Sequence, residues 1–319
     1  MSGAALQVTP ADEQPHAVGG ELDWSEAYAF DFYDEPSGLG GFTRMTVRPN
    51  EGAMDVGLSF FLPDGGFITA RHVKAQPTNT ADLEVEGVRY AVDEPLRRWR
   101  VSYDGPAHSL PSARDADQRA AWAKSRLERL IVELDVVAAS APASRGGESA
   151  FQQTCVVRGE VWVSGDRYAL QAPGSRGRSW GADEEAAPRT RRAFSARFAD
   201  GSALDVVRTL SEDGDLQRGW ILRDGRVGAV GAVSIATTTE PDSYLQKRFD
   251  LTLVDADGGR HEVAGEVLHL APLPSARNDR PSVLCESVAR FTWQGRTGHG
   301  FASYLHRLDA GGKPLVPIE

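Results

Sequence analysis

Only two cysteines, Cys155 and Cys285, occur in this chain of 319 residues. Two cysteines are too few for a disulfide framework and lack the spacing of a metal site. Positive charge is also short: 35 Lys and Arg stand against 45 Asp and Glu, a net charge of −10. Nucleic-acid partners are thereby excluded, because phosphate binding needs clustered cations. The pairs Arg97-Arg98 and Arg191-Arg192 are too short to reverse this. Long apolar runs are missing, so no membrane span is expected; the best stretch, 227–239, is broken by Gly228 and Gly231. The first 15 residues have no apolar core of a signal peptide, which makes the cytoplasm the expected location. No G-x-G-x-x-G or P-loop string occurs, so no nucleotide cofactor is supported, and no cofactor is expected. Histidines 16, 72, 108, 261, 269, 299 and 306 form neither H-x-H nor H-E-x-x-H, so no metal is expected either.

What the chain has is turns. Asp-Gly suits a tight hairpin because its central residues tolerate positive φ. It recurs at Asp64-Gly65, Asp200-Gly201, Asp213-Gly214, Asp224-Gly225 and Asp257-Gly258, with Glu86-Gly87 and Gly165-Asp166 in similar places. The flanks alternate like half-buried strands. Leu83 and Val85 lead to Val88, Tyr90 and Val92. Val161 and Val163 lead to Tyr168 and Leu170. Cys285, Ser287, Ala289, Phe291 and Trp293 alternate with Leu284, Glu286, Val288, Arg290 and Thr292. One helix is expected, from Ala113 to about Arg129, where Ala, Arg, Lys, Gln and Glu dominate. Strands with almost no crossover helices give an all-β fold, an antiparallel sandwich or barrel. The length suggests about two domains, and the small, polar stretch 138–148 is the expected linker. It divides the chain into 16–140 and 149–319.

Gly177-Arg178-Ser179-Trp180-Gly181 satisfies G-x-S-x-G, the nucleophile elbow of α/β-hydrolases. An elbow needs a strand before the serine and a helix after it. Here a turn-like 171–175 precedes, and Pro188 cuts the segment that follows. The string therefore reads as a turn at a barrel rim, with a serine hydrolase as the third-ranked function. Trp24 and Trp180 sit among polar residues, the pattern of an apolar cavity wall with a few convergent polar groups. A carboxyl in such a wall can act as a general acid, and Glu26, Asp31 and Asp104 are the candidates.

Several segments together resemble one family. Trp24-Ser25-Glu26-Ala27-Tyr28 leads to Gly40-Gly41-Phe42-Thr43-Arg44 and Arg48-Pro49-Asn50-Glu51-Gly52, and Trp99 to Pro106 follows. The later parts are Gly174 to Gly181 and Gly295 to Arg307. This set resembles the lipocalin-like group of hydroxyneurosporene synthase (carotenoid 1,2-hydratase) and AttH, in particular a bacterial branch with an Arg-Asp-His-Ser-Trp-Gly motif. The resemblance implies two lipocalin-like antiparallel β-barrels or half-barrels packed together, with one short helix. It also implies an apolar small-molecule partner. The chain departs from the motif where Gly177-Arg178 replaces Asp-His, and Ser303 stands where an acid is expected. The leading expectation is a cofactor-independent enzyme acting on an isoprenoid, steroid-like or polyketide-like molecule by acid-assisted hydration, isomerisation or cyclisation. The alternative is a non-catalytic carrier of such a molecule. Glu26 or Asp104 would donate the proton, and Tyr28, Tyr103 and His108 would orient substrate or water. Trp24, Trp180 and Tyr304 would line the site, and Arg44 and Arg178 would tune the acid.

Overall fold

The computed structural model describes residues 7–75, 81–144, 149–182, 188–212, 214–277 and 280–318. They form two compact units, one of residues 1–111 and 122–183, the other of 112–121 and 184–319. The fold is all-β and antiparallel.

The first unit contains β1 (Trp24–Asp34), β2 (Leu39–Arg48), β3 (Ala53–Phe61), β4 (Phe67–Ala75), β5 (Glu84–Val85), β6 (Val88–Glu94), β7 (Arg98–Leu110), β8 (Arg126–Ala138), β9 (Ala150–Val163) and β10 (Asp166–Ala182). They pair in the order β4-β3-β2-β1-β10-β9-β8-β7-β6-β5. β4 also pairs with β7 through Phe67–Leu110, Ile68–Ser109 and Thr69–His108, so the ladder returns on itself. The second unit is a closed barrel of β11 (Thr190–Phe198), β12 (Ala203–Leu210), β13 (Asp215–Arg223), β14 (Arg226–Thr239), β15 (Gln246–Asp255), β16 (Arg260–Arg277), β17 (Arg280–Trp293) and β18 (Arg296–Arg307).

The hairpin turns fall where the sequence places them. Asp224 and Gly225 join β13 to β14 with φ of 49° and 72°, as a type I′ turn demands. In the β9–β10 hairpin the positive pair is Ser164-Gly165, one residue earlier than expected. Asp213 lies outside the described residues. Two other expectations fail. The stretch 138–148 divides nothing: β8 and β9, on either side of it, pair from Leu130–Val163 to Ala138–Cys155, so 149–182 belongs to the first unit. The helix expected over 113–129 shrinks to a 3-10 turn, Ala113–Asp115, and one α-helical turn, α1 (Arg119–Trp122). Arg126 to Arg129 instead join the ladder with β7, pairing with Ser109 to Pro106. Good helix propensity is worth tenths of a kcal/mol per residue and yields to a full set of ladder hydrogen bonds.

Alternate strand positions point inward. The first core gathers Phe30, Phe32, Phe60, Trp99, Val101 and Leu134 among others. Its cavity lined by Phe30, Phe60, Val101, Leu134 and Val157 measures about 10 Å³, room for about one water molecule. The second core gathers Phe194, Phe249, Phe291 and Trp293. Backbone approach is close at Gly159 in β9, where φ is +137° and a Cβ would lie 1.9 Å from the Glu133 carbonyl oxygen. Gly159→Ala is expected to cost about 2–4 kcal/mol, read as a lower urea midpoint. Gly57→Ala, whose Cβ would meet only Arg71 Cγ at 3.9 Å, is the control and should cost under about 1 kcal/mol.

Candidate functional site

Charged side chains at inward positions are costly unless paired, so they mark where a barrel holds more than packing. In the first unit, Arg176 and Arg178 of β10 share the inward face with Tyr28 and Phe30, their register partners in β1. Residues 9–16 lie over them. A 3-10 turn, Pro10–Glu13, delivers the Glu13 carboxylate to Arg176, and both side chains are buried. Glu13 also accepts from Trp99 Nε1 at 3.2 Å. The Arg176 guanidinium stacks 3.6 Å above the Trp99 ring and donates to Gln153 Oε1 at 2.9 Å. Burial holds the Arg176 guanidinium below its usual range. Beside it, Arg178 pairs with Glu26 and lies 4.0 Å over the Tyr28 ring. Glu26 also accepts from the Tyr28 hydroxyl at 3.3 Å and from the backbone N–H of His16. His16 stacks on Trp180 at 3.9 Å, and burial together with the Arg178 charge lowers its pKa.

The structure thus brings together Glu26, Tyr28, Arg178 and Trp180, with Trp24 buried at the start of β1. Glu26 accepts from three donors, the Tyr28 hydroxyl, the His16 backbone N–H and the Arg178 guanidinium. That arrangement ties residues 9–16 to β1 and β10. Asp104 stands outside this cluster. It is exposed and bonded twice to Arg129, at 2.8 and 2.7 Å, and this contact holds its carboxyl below the usual range. His108 is exposed and contacts Ser125 at 2.9 Å. Tyr103 is spent on the Pro106 carbonyl at 2.7 Å and lies near His72 at 3.2 Å. Arg44 is half-buried and lies one position out of step with the inward Thr43 and Met45. Asp31 accepts from the Ser175 hydroxyl across the β1–β10 pair.

The G-x-S-x-G string is strand, neither elbow nor rim turn. Ser179 pairs with Ala27 on one side and Ala150 on the other. Residues 183–187, where the elbow's helix would begin, lie outside the described residues. A fluorophosphonate probe should therefore leave the protein unlabelled, as read by intact-mass spectrometry; stoichiometric labelling abolished by Ser179→Ala would restore the hydrolase.

The second barrel holds a different arrangement. Its inward residues are apolar toward Phe249, Phe291 and Trp293 and polar at the other end. There Arg192 of β11 is the register partner of Tyr304 of β18, and its guanidinium sits 4.4 Å above the Tyr304 ring. Arg192 Nη1 donates to the carbonyls of Leu305 and Arg191 at 3.0 and 3.2 Å, and Nη2 faces His306 Nδ1 at 3.4 Å. The Tyr304 hydroxyl meets Thr237 at 2.9 Å. Gln246 donates to the carbonyls of Cys285 and Ala302 at 3.1 and 3.3 Å. Over this end, Tyr244 lies 5.8 Å from the His306 ring and donates to Asp117 at 2.6 Å.

Titration in this cluster follows burial. His306 is pushed down to about 3 by burial and by the Arg192 charge. Tyr304 is pushed up to about 12 and the Cys285 thiol is also raised, burial being the main cause in both. Near pH 7 the cluster is therefore one guanidinium among a neutral imidazole, phenol and thiol. Among the described residues no three His, Cys, Asp or Glu side chains gather as a metal site.

Of this group only Tyr304 was singled out from sequence. From sequence, Arg192 reads as half of a short basic pair and His306 as an ordinary histidine. Parity could have found them: Arg192 is in step with Phe194, Ala196 and Phe198, and His306 with Ala302 and Tyr304. Where an acid was expected at Ser303, the hydroxyl reaches Glu286 on the neighbouring strand.

A ring of antiparallel strands with inward aromatic residues and a polar end defines a lipocalin-like β protein. The chain belongs to the family described as a domain of unknown function, DUF7064, which matches residues 9–307. Its structure is similar to that of an AttH protein from Nitrosomonas europaea, with a TM-score of 0.69 and 15% identity over 95% of this chain and 97% of that one. It is also similar to CghA, with a TM-score of 0.59 and 11% identity over 95% and 94% of the two chains. Kievitone hydratase from Nectria haematococca gives a TM-score of 0.57 and 10% identity over 92% and 90%. No curated protein sequence matches the chain. Among the described residues no helix is long and apolar enough to cross a membrane.

Proposed function

We propose that this chain transforms an apolar small molecule by hydration, isomerisation or cyclisation, without a cofactor, at the polar end of the second barrel. The observation that carries this reading is the buried Arg192–Tyr304–His306 group at the end of an otherwise apolar interior. The chemistry of a similar fold, kievitone hydratase, agrees with it. A guanidinium fixed by backbone carbonyls is preorganised to stabilise charge that develops on a substrate, and such a donor is worth about a hundredfold in rate or more. Phe194 stands edge-on to Tyr304 at 5.7 Å and would press the reacting carbons against the donors while keeping bulk water out. The first barrel is less suited, since no charged or titratable side chain lines its cavity.

Incubating the purified protein with terpenoid, steroid and polyketide alkenes, followed by mass spectrometry, tests the reading. A hydrated product, or an isomer of unchanged mass and altered retention, is expected, and Arg192→Met should slow its formation about a hundredfold or more. One observation favours the carrier as the second reading: Glu26 and Asp104 are both engaged by arginines away from this cluster. Tight binding with unchanged ligand across the panel would select the carrier. Failure to bind any member would remove both.

A further inference from the structure

We propose that the ligand of the second barrel is a carbonyl compound whose oxygen accepts a hydrogen bond from Nε2–H of His306. The inference rests on reading that barrel end as the small-molecule site, and it narrows the ligand class.

The tautomer follows from geometry. A guanidinium can only donate, so the contact from Arg192 Nη2 makes Nδ1 of His306 the acceptor. The proton of the neutral ring therefore sits on Nε2. His306 is fully buried, and among the described residues Nε2 has no hydrogen-bond partner. A buried N–H is rarely left unsatisfied, because it loses water and gains nothing. A hydrocarbon would leave it so. An oxygen acceptor would complete it, with the Arg192 charge close by to polarise that oxygen.

The shape of the donor set separates a carbonyl from a carboxylate. Carboxylates favour the two parallel N–H groups of a free guanidinium edge. Here Nη1 is committed to the carbonyls of Arg191 and Leu305, and Nη2 faces the imidazole. Nε2–H of His306 is thus, among the described residues, a lone buried donor without a partner at this barrel end, suited to a ketone, aldehyde or enone oxygen. The nearby Oε1 of Gln246, also buried without a partner among the described residues, is an acceptor and would suit a hydroxyl on the same ligand.

The test compares matched probes: androst-4-en-3-one against androst-4-ene, and β-ionone against its deoxygenated hydrocarbon. Affinity is measured by calorimetry or fluorescence for the wild type and for His306→Leu. The enones should bind the wild type about tenfold or more tightly than the hydrocarbons, and the ratio should fall to about one in the variant. Equal affinity of enone and hydrocarbon for the wild type overturns the carbonyl inference but leaves the small-molecule reading standing. A preference that survives in the variant overturns it too. Binding of neither class removes the reading itself. Should the variant fail to fold, ¹⁵N spectra of the wild-type imidazole decide: a shifted Nε2–H resonance on saturation with enone supports the proposal, and an unmoved one, as for a donor satisfied by buried water, rejects it.

Discussion

Acidification from pH 7 to pH 5 is expected to cost about 2 kcal/mol of stability through His306 alone. The imidazole is held at about 3 in the folded protein against 6.5 for the free group. Between those values the unfolded chain binds the proton and the folded chain refuses it, so lowering the pH favours unfolding. The penalty is absent above about pH 6.5 and grows by about 1.4 kcal/mol per pH unit below it. Growth stops once the pH passes the folded value. His16 and His269 are also lowered, chiefly by burial, and add in the same direction. Urea unfolding at pH 7, 6 and 5 measures the slope. His306→Leu should remove about 2 kcal/mol of the wild-type loss between pH 7 and 5, whatever its stability at pH 7. Equal slopes in the two proteins would show that His306 takes up its proton in the fold.

Removing one partner of the Glu13–Arg176 pair should do still more damage. Both side chains are buried, the arginine stacks on Trp99, and the glutamate arrives on a segment with little other regular structure. Glu13→Ala leaves a guanidinium buried without its counter-ion, a change that typically costs about 3–5 kcal/mol. Replacing both partners removes that burden, because a buried ion pair gains little over well-packed apolar groups of similar size. Arg176→Met in the Glu13→Ala background should therefore recover at least half of the loss. A single-mutant cost below about 1 kcal/mol would mean that the pair does not hold residues 9–16 against the barrel.

The β-class of the chain was legible because hairpins are written locally. Asp224-Gly225 and the alternation from Cys285 to Trp293 need no knowledge of distant partners. The division into units was not legible. The stretch 138–148 has the composition of a linker, but what fixes its role is the pairing of β8 with β9, a tertiary fact. The helix over 113–129 failed for the same reason, since propensity cannot see the ladder that claims Arg126 to Arg129. In the first barrel, the polar neighbourhoods of Trp24 and Trp180 did point to a real cluster around Glu26 and Arg178. Its further partners, Glu13 and His16, are not legible, because they come from a segment with no strand pattern. In the second barrel the signal was a charge in step with apolar residues, Arg192 with Phe194, and parity on a single strand says nothing of what stands opposite.

The central claim is that the polar end of the second barrel, and not the first barrel, receives the small molecule. The most direct measurement is the chemical-shift footprint of a bound enone on protein labelled at tyrosine, histidine and phenylalanine. Perturbations centred on Tyr304, His306, Tyr244 and Phe194 are predicted. A footprint centred on Phe30, Phe32 and Phe60 instead would contradict the account.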